Sequence, residues 1–146
     1  MKRRTLAVLG TAATLLAACV TTAKDRYVED GYRLLSGSEI AALVSGKTIE
    51  GRYGDGSGIY VDFRAANGRL STLEPSGKTY IGTWEIDGNR LCLTYPTGAN
   101  PLPKCVEIAE KDGHYVEFRT GGPTLGKLGS EYVSITPGNV KNLPLE

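Results

Sequence analysis

An all-β fold is predicted for this chain: an antiparallel meander of about eight short strands, forming a curled sheet or small barrel, with one short N-terminal helix. Three observations carry it. From Thr48 onward apolar and polar residues alternate, the period of a half-buried strand. Glycine-bearing turn dipeptides (Asn67-Gly68, Asp87-Gly88, Asp112-Gly113) separate those runs. The composition, with 19 Gly, 8 Tyr and a single Met, suits short strands and tight turns. A meander of this length cannot leave long exposed edges, which favours closure.

The chain opens with Lys2, Arg3 and Arg4, a short apolar run from Thr5 to Leu16, and Leu16-Ala17-Ala18-Cys19. The apolar run is too short to span a bilayer as a stable helix and reads as an export signal over 1–18. The small-small-Cys ending is the bacterial lipobox pattern, so Cys19 is expected to be diacylated and to become the first mature residue. Acyl chains then anchor the protein without a membrane-spanning helix. Val20 follows, not the Asp that retains lipoprotein at the inner membrane, so the expected location is the periplasmic leaflet of the outer membrane. Of 17 Lys+Arg, three leave with the signal, and 14 remain against 16 Asp+Glu. The basic residues are scattered, which argues against nucleic acid as a partner.

Residues 19–35 are expected to be a lipidated tether and 36–136 the β domain. Ser36-Gly37-Ser38-Glu39 has capping-box spacing, Ile40, Leu43 and Val44 share a helical face, and Gly46 suits the position after the helix. Strands are expected over 48–53, 59–64, 69–73, 79–86, 90–95, 104–108, 114–119 and 131–136, and residues 137–146 as a loose tail. Asn67-Gly68 reads as a type I′ hairpin turn, both of whose central residues need positive φ.

With Cys19 acylated, Cys92 and Cys105 remain, and in an oxidising compartment they are expected to form a disulfide. Alternation supports the pairing. Leu91, Leu93 and Tyr95 share one face and Val106 and Ile108 another, so both cysteines point outward from neighbouring strands. Two Cys and the lone His114 make a poor zinc set, and neither metal nor cofactor is expected.

No nucleophile elbow is present, and His114 beside a turn glycine reads as an exposed residue, so no catalytic residue is assigned. Glu50, Asp62, Glu74, Glu85, Glu107 and Glu117 mostly fall on the polar parity of strands and read as solvated faces. Gly54-Asp55-Gly56-Ser57-Gly58 leads into a strand, which excludes a P-loop and leaves a hairpin turn. Trp84, Phe63, Tyr53 and Phe118 fall on the inferred inner parity, as plain core or as the lining of a ligand cavity, with Tyr60 and Tyr115 outside.

Two stretches carry a resemblance: Ser38-Glu39-Ile40 through Leu43 to Gly46-Lys47-Thr48, and Gly82-Thr83-Trp84-Glu85-Ile86 through Gly88-Asn89-Arg90-Leu91-Cys92-Leu93 to Cys105. Across about 36–119 the chain resembles a family of small uncharacterised secreted proteins of alphaproteobacteria, with a G-x-W strand, a Leu-Cys strand and a second Cys. That resemblance implies a compact disulfide-bonded β domain and transfers no catalytic residue. The expected function is a non-enzymatic outer-membrane lipoprotein whose domain binds another envelope component, protein or glycan, for example as an inhibitor. The alternative is a calycin-like carrier of a small apolar ligand.

Overall fold

The computed structural model describes residues 21–96 and 102–146. The signal segment, Cys19 and the middle of the loop from Pro96 to Pro103 lie outside the described residues. In chain order the elements are α1 (Ala23–Glu29), β1 (Arg33–Leu34), α2 (Gly37–Val44), β2 (Lys47–Tyr53), β3 (Ile59–Arg64), β4 (Arg69–Leu73), β5 (Thr79–Asp87), β6 (Arg90–Thr94), β7 (Lys104–Lys111), β8 (His114–Arg119) and β9 (Leu128–Pro137). From β2 to β9 every strand pairs antiparallel with the next. β9 also pairs with β2, so eight strands close into an up-and-down barrel. β1 is a ninth strand, added to the C-terminal half of β7. The eight expected strands are all present, and the closure that edge protection favours is complete.

Turn chemistry follows the sequence with one exchange. Asp112 and Gly113 both have positive φ, at 51° and 80°, as a type I′ turn requires. At Asn67-Gly68 only Gly68 does. There Ala65 and Arg69 are bridged and Gly68 N–H donates to the Ala65 carbonyl, a longer loop in place of the expected two-residue turn.

Helix α2 closes one end of the barrel. Ser36 and Glu39 form the expected capping box. Ile40 and Val44 are buried with Leu35 against Ile49, Leu70, Trp84, Leu91 and Ile108. The helix start sits so close to the β5–β6 turn that a Cβ at Gly37 would lie 2.1 Å from the Gly88 carbonyl oxygen. Gly37 N–H donates to Asn89 Oδ1 at 2.9 Å.

The segment expected as a tether is built into the domain. Residues 23–29 form α1, capped by Thr22 and Asp25, and residues 33–34 pair with Glu110 and Ala109. Tyr27 and Tyr32 cover Phe118, Val116 and Ala109 on the outside of β7 and β8, a second apolar cluster separate from the first. Lys24 Nζ meets Glu107 at 2.7 Å, and Tyr27 Oη–H donates to Glu131 at 3.0 Å. The mixed polar and aromatic composition of this segment is that of an amphipathic cover. The tail is likewise held: Leu143 is buried, Val140 N–H donates to Thr48 Oγ1, and Lys141 pairs with Glu50.

Which residues face inward departs from expectation at two strands. On β3 the interior side carries Tyr60, Asp62 and Arg64, all buried, and Phe63 lies half-buried on the outer side. Register explains it. Tyr60 stands opposite Gly51 and Asp62 opposite Ile49, both interior positions of β2. On β8 the interior side carries Tyr115 and Glu117, while Phe118 is on the outside beneath α1.

Cys92 and Cys105 are register partners on β6 and β7 and are disulfide-bonded, with Cα atoms 4.0 Å apart. The bond closes a loop of 13-residue separation, for which chain entropy gives about 3 kcal/mol. Cys92→Ser should therefore lower the thermal midpoint under oxidising conditions by about 10 °C. Under reducing conditions the variant and the parent should melt together, as scanning calorimetry will show.

Candidate functional site

Above the apolar layer that α2 completes, the barrel interior changes character. Arg64 from β3 is fully buried. Its Nη2 reaches Asp62 at 2.9 Å and Glu117 of β8 at 3.4 Å, and its Nη1 donates to Tyr132 Oη of β9 at 2.9 Å. Tyr132 Oη–H in turn donates to Glu117 at 2.6 Å, and Ser130 donates to the other Glu117 oxygen at 2.9 Å. With the Ser130 proton so committed, Tyr60 is the donor in the 2.9 Å Tyr60–Ser130 contact. On the other side Thr72 donates to Asp62 at 2.5 Å, which leaves Tyr95 as donor to Thr72 at 2.6 Å. One guanidinium thus anchors a hydrogen-bonded network drawn from β3, β4, β8 and β9.

Local sequence makes room for it. A Cβ at Gly51 would lie 2.3 Å from the Tyr60 ring, so only glycine lets that ring lie across β2. The β-bulge between Glu50 and Gly51 shifts the β9 register there, placing Tyr132 opposite Gly51. Bulges re-aim side chains at such points.

Electrostatics follow from one cation meeting two carboxylates out of water. Burial pushes Asp62 above the usual carboxylate range, against the pull of Arg64 and the Thr72 hydrogen bond. Burial works against the Arg64 charge, but Tyr132, Asp62 and Glu117 outweigh it and hold the guanidinium firmly protonated. Burial, reinforced by neighbouring carboxylates, raises Tyr60, Tyr132, Tyr95 and Tyr53 well above the ordinary phenol. On the outer face, burial together with Glu131 lifts Tyr27 to about 12.

Over this network lies a cavity of about 550 Å³, open at the barrel end opposite α2. Tyr53, Tyr60, Asp62, Arg64, Thr72, Tyr95, Glu117 and Ser130 line its depth, and Glu74, Lys104, Arg119, Thr120 and Thr124 surround its upper part. Glu74 accepts from Tyr53 Oη at 2.8 Å. Arg64 Nε is enclosed beneath that floor and has no hydrogen-bond partner among the described residues.

Of the residues expected to line a cavity, Tyr53 does. Trp84 belongs to the apolar layer near α2, with Nε1 donating to the Ala65 carbonyl at 2.8 Å, and Phe63 and Phe118 are on the outer side of the barrel. Asp62 and Glu117, expected on solvated faces, are instead the buried anions of the network. Tyr60 and Tyr115, expected outside, are inside. His114 is exposed in the β7–β8 hairpin, at the α2 end and away from the cavity. Among the described residues no three His, Cys, Asp or Glu side chains are arranged to hold a metal ion. Asp62 and Glu117 already share one guanidinium between them.

Removing the cation should leave two buried carboxylates uncompensated. Arg64→Met is expected to cost about 3–5 kcal/mol near neutral pH, read as a fall in the urea midpoint. The raised value of Asp62 means that the folded state binds a proton more readily than the unfolded one. Its stability contribution is therefore full below the unfolded carboxylate value and is lost as pH rises through the folded one. The Arg64→Met deficit should accordingly shrink on acidification, as the buried carboxylates take up protons. At alkaline pH the sign is the same for the tyrosines: their contribution is full below the ordinary phenol value of about 10 and is lost as pH rises through the raised folded values. In a spectrophotometric titration Tyr27, Tyr53, Tyr60, Tyr95 and Tyr132 should give no phenolate absorbance near pH 10, and should give it together with loss of the fold. Set against known proteins, the chain matches no family model, no curated protein and no solved structure.

Proposed function

We propose that the chain is an exported, lipid-anchored envelope protein that does no covalent chemistry and binds a partner's polar group in the open end of its barrel. The observation that carries the binding half is the cavity itself, a space of about 550 Å³ whose depth is lined by the polar groups assembled around Arg64 rather than by apolar side chains. That volume is within the range of small-molecule sites, about 300–1,000 Å³. Hydroxyl oxygens of Tyr53, Tyr60 and Tyr95, whose protons are already given to Glu74, Ser130 and Thr72, keep lone pairs that favour a ligand bearing hydrogen-bond donors, such as the hydroxyls of a sugar unit of an envelope glycan or of a small polar solute. The same lining disfavours a wholly apolar ligand, which would displace water from those remaining lone pairs without replacing it. The export half rests on the basic start, the apolar run and the lipobox ending in Cys19. The disulfide is compatible with it, and the resemblance to secreted alphaproteobacterial proteins points the same way.

Native mass spectrometry of the full chain, taken gently from its own membranes, tests both halves. The expected spectrum shows a chain beginning at Cys19 with acyl chains attached, carrying a non-covalent adduct of a few hundred daltons. Thr72→Val, which removes a hydroxyl from the cavity wall, should reduce adduct occupancy while leaving the acyl mass unchanged. An adduct that proves to be hydrocarbon would favour the apolar carrier, and an unacylated chain would end the anchor reading.

A further inference from the structure

The open end of the barrel is also the end at which the chain enters it. Helix α1 begins against the β8–β9 loop. Lys24 N–H donates to the Gly126 carbonyl at 3.0 Å, and Gly126 lies so close to Thr22 that a Cβ there would meet its Oγ1 at 2.7 Å. Thr120 and Thr124 of that same loop line the cavity. Only three residue steps separate Cys19 from Thr22, a reach of at most about 11 Å even when fully extended. An acylated Cys19 therefore leaves no slack: the bilayer must be within that reach of the barrel mouth.

The mouth is dressed for that position. The two most exposed large apolar side chains of the described residues, Leu102 at 69% and Leu125 at 59%, are in the β6–β7 and β8–β9 loops there, and exposed Ile59 starts β3 at the same end. Around them stand Lys78, Lys104, Arg119 and Lys127, none in an ion pair among the described residues. In opposition this end brings Asp55, Glu74 and, in the first turn of α1, Asp25; Glu74 is engaged by Tyr53 and Asp25 by Thr22. Apolar tips between cations are what an interfacial lipid-binding surface needs.

We propose that the open end of the barrel is a membrane-docking face, seated on anionic phospholipid by Leu102 and Leu125 and flanked by Lys104, Arg119 and Lys127. The cavity then opens onto the lipid surface, and the polar group it takes arrives as a headgroup. This rests on the anchor reading above.

The test uses the full lipoprotein reconstituted into vesicles of phosphatidylethanolamine with phosphatidylglycerol, carrying bromine on the acyl chains. Two single variants report on the two ends: Leu125→Trp at the mouth, and Val140→Trp at the α2 end, where Val140 is exposed beside Thr48. Leu102→Trp is a second mouth reporter should the first perturb its loop. Tryptophan at position 125 or 102 should be strongly quenched by the brominated lipid, and the signal of Val140→Trp should match that of the parent with Trp84 alone. Equal quenching at both ends, or quenching only at position 140, overturns the docking face. The mass of the same preparation separates the two claims. Acylated Cys19 without quenching at the mouth removes the docking face and leaves the anchor, whereas a chain without acyl groups removes the anchor and with it this geometry.

Discussion

One buried guanidinium holds the upper half of this barrel together. Arg64 is fully enclosed, and its partners come from its own strand, from β8 and from β9. β9 is the strand that closes the sheet onto β2. A buried ion pair gains little net stability, because desolvation offsets the Coulombic attraction. What it fixes is arrangement: Asp62, Glu117 and Tyr132 have one cation to satisfy them, and any slip in the register of β8 or β9 would strand a charge. The network thus specifies a register that hydrophobic alternation leaves open.

Along its axis the barrel divides its tasks. At the α2 end an apolar layer of Ile40, Val44, Ile49, Leu70, Leu91 and Ile108 supplies burial energy. In the middle the polar network supplies specificity. At the far end, space is left unfilled. Eight strands enclose an interior that side chains can fill. At Gly51 the missing side-chain volume is taken up by the Tyr60 ring, and the open space begins beyond that ring, toward the mouth. Outside, α1 and the Cys92–Cys105 bond stiffen β6, β7 and β8, the strands that carry Lys104 and Arg119 to the mouth.

Much of the fold was legible because hairpin connections leave local marks. Asp112-Gly113, the Ser36–Glu39 capping box and the paired parity of Cys92 and Cys105 each fix a piece of structure within a few residues. The site was not, and the reason is physical. Alternation identifies two faces of a strand but names the inner one by hydrophobicity, and here the inner face of Ile59–Arg64 is the polar one. A Tyr-x-Asp-x-Arg alternation, with large polar groups on every second residue and a glycine in the preceding strand, is the signal that was available. It becomes readable only once register sets Tyr60 against Gly51. The N-terminal segment misled for a related reason: seven helical residues are too few to stand alone, and α1 exists because Phe118 and Val116 lie under it.

The distribution of charge along the axis constrains what can enter. The floor holds Arg64 against two carboxylates, so full ionisation leaves it with an excess negative charge, and the upward push on Asp62 is the response. An anion driven to that depth would meet like charge in a low-dielectric space, where repulsion is strongest. The mouth has the opposite balance, with Lys104, Arg119 and Lys127 facing water. A ligand suited to both is graded along its length: an anionic group held at the rim, and a neutral, hydroxyl-bearing end reaching down to the tyrosine hydroxyl oxygens. A phosphodiester bearing a hydroxylated headgroup has that order of groups, and a barrel whose mouth rests on a bilayer would meet it in that orientation.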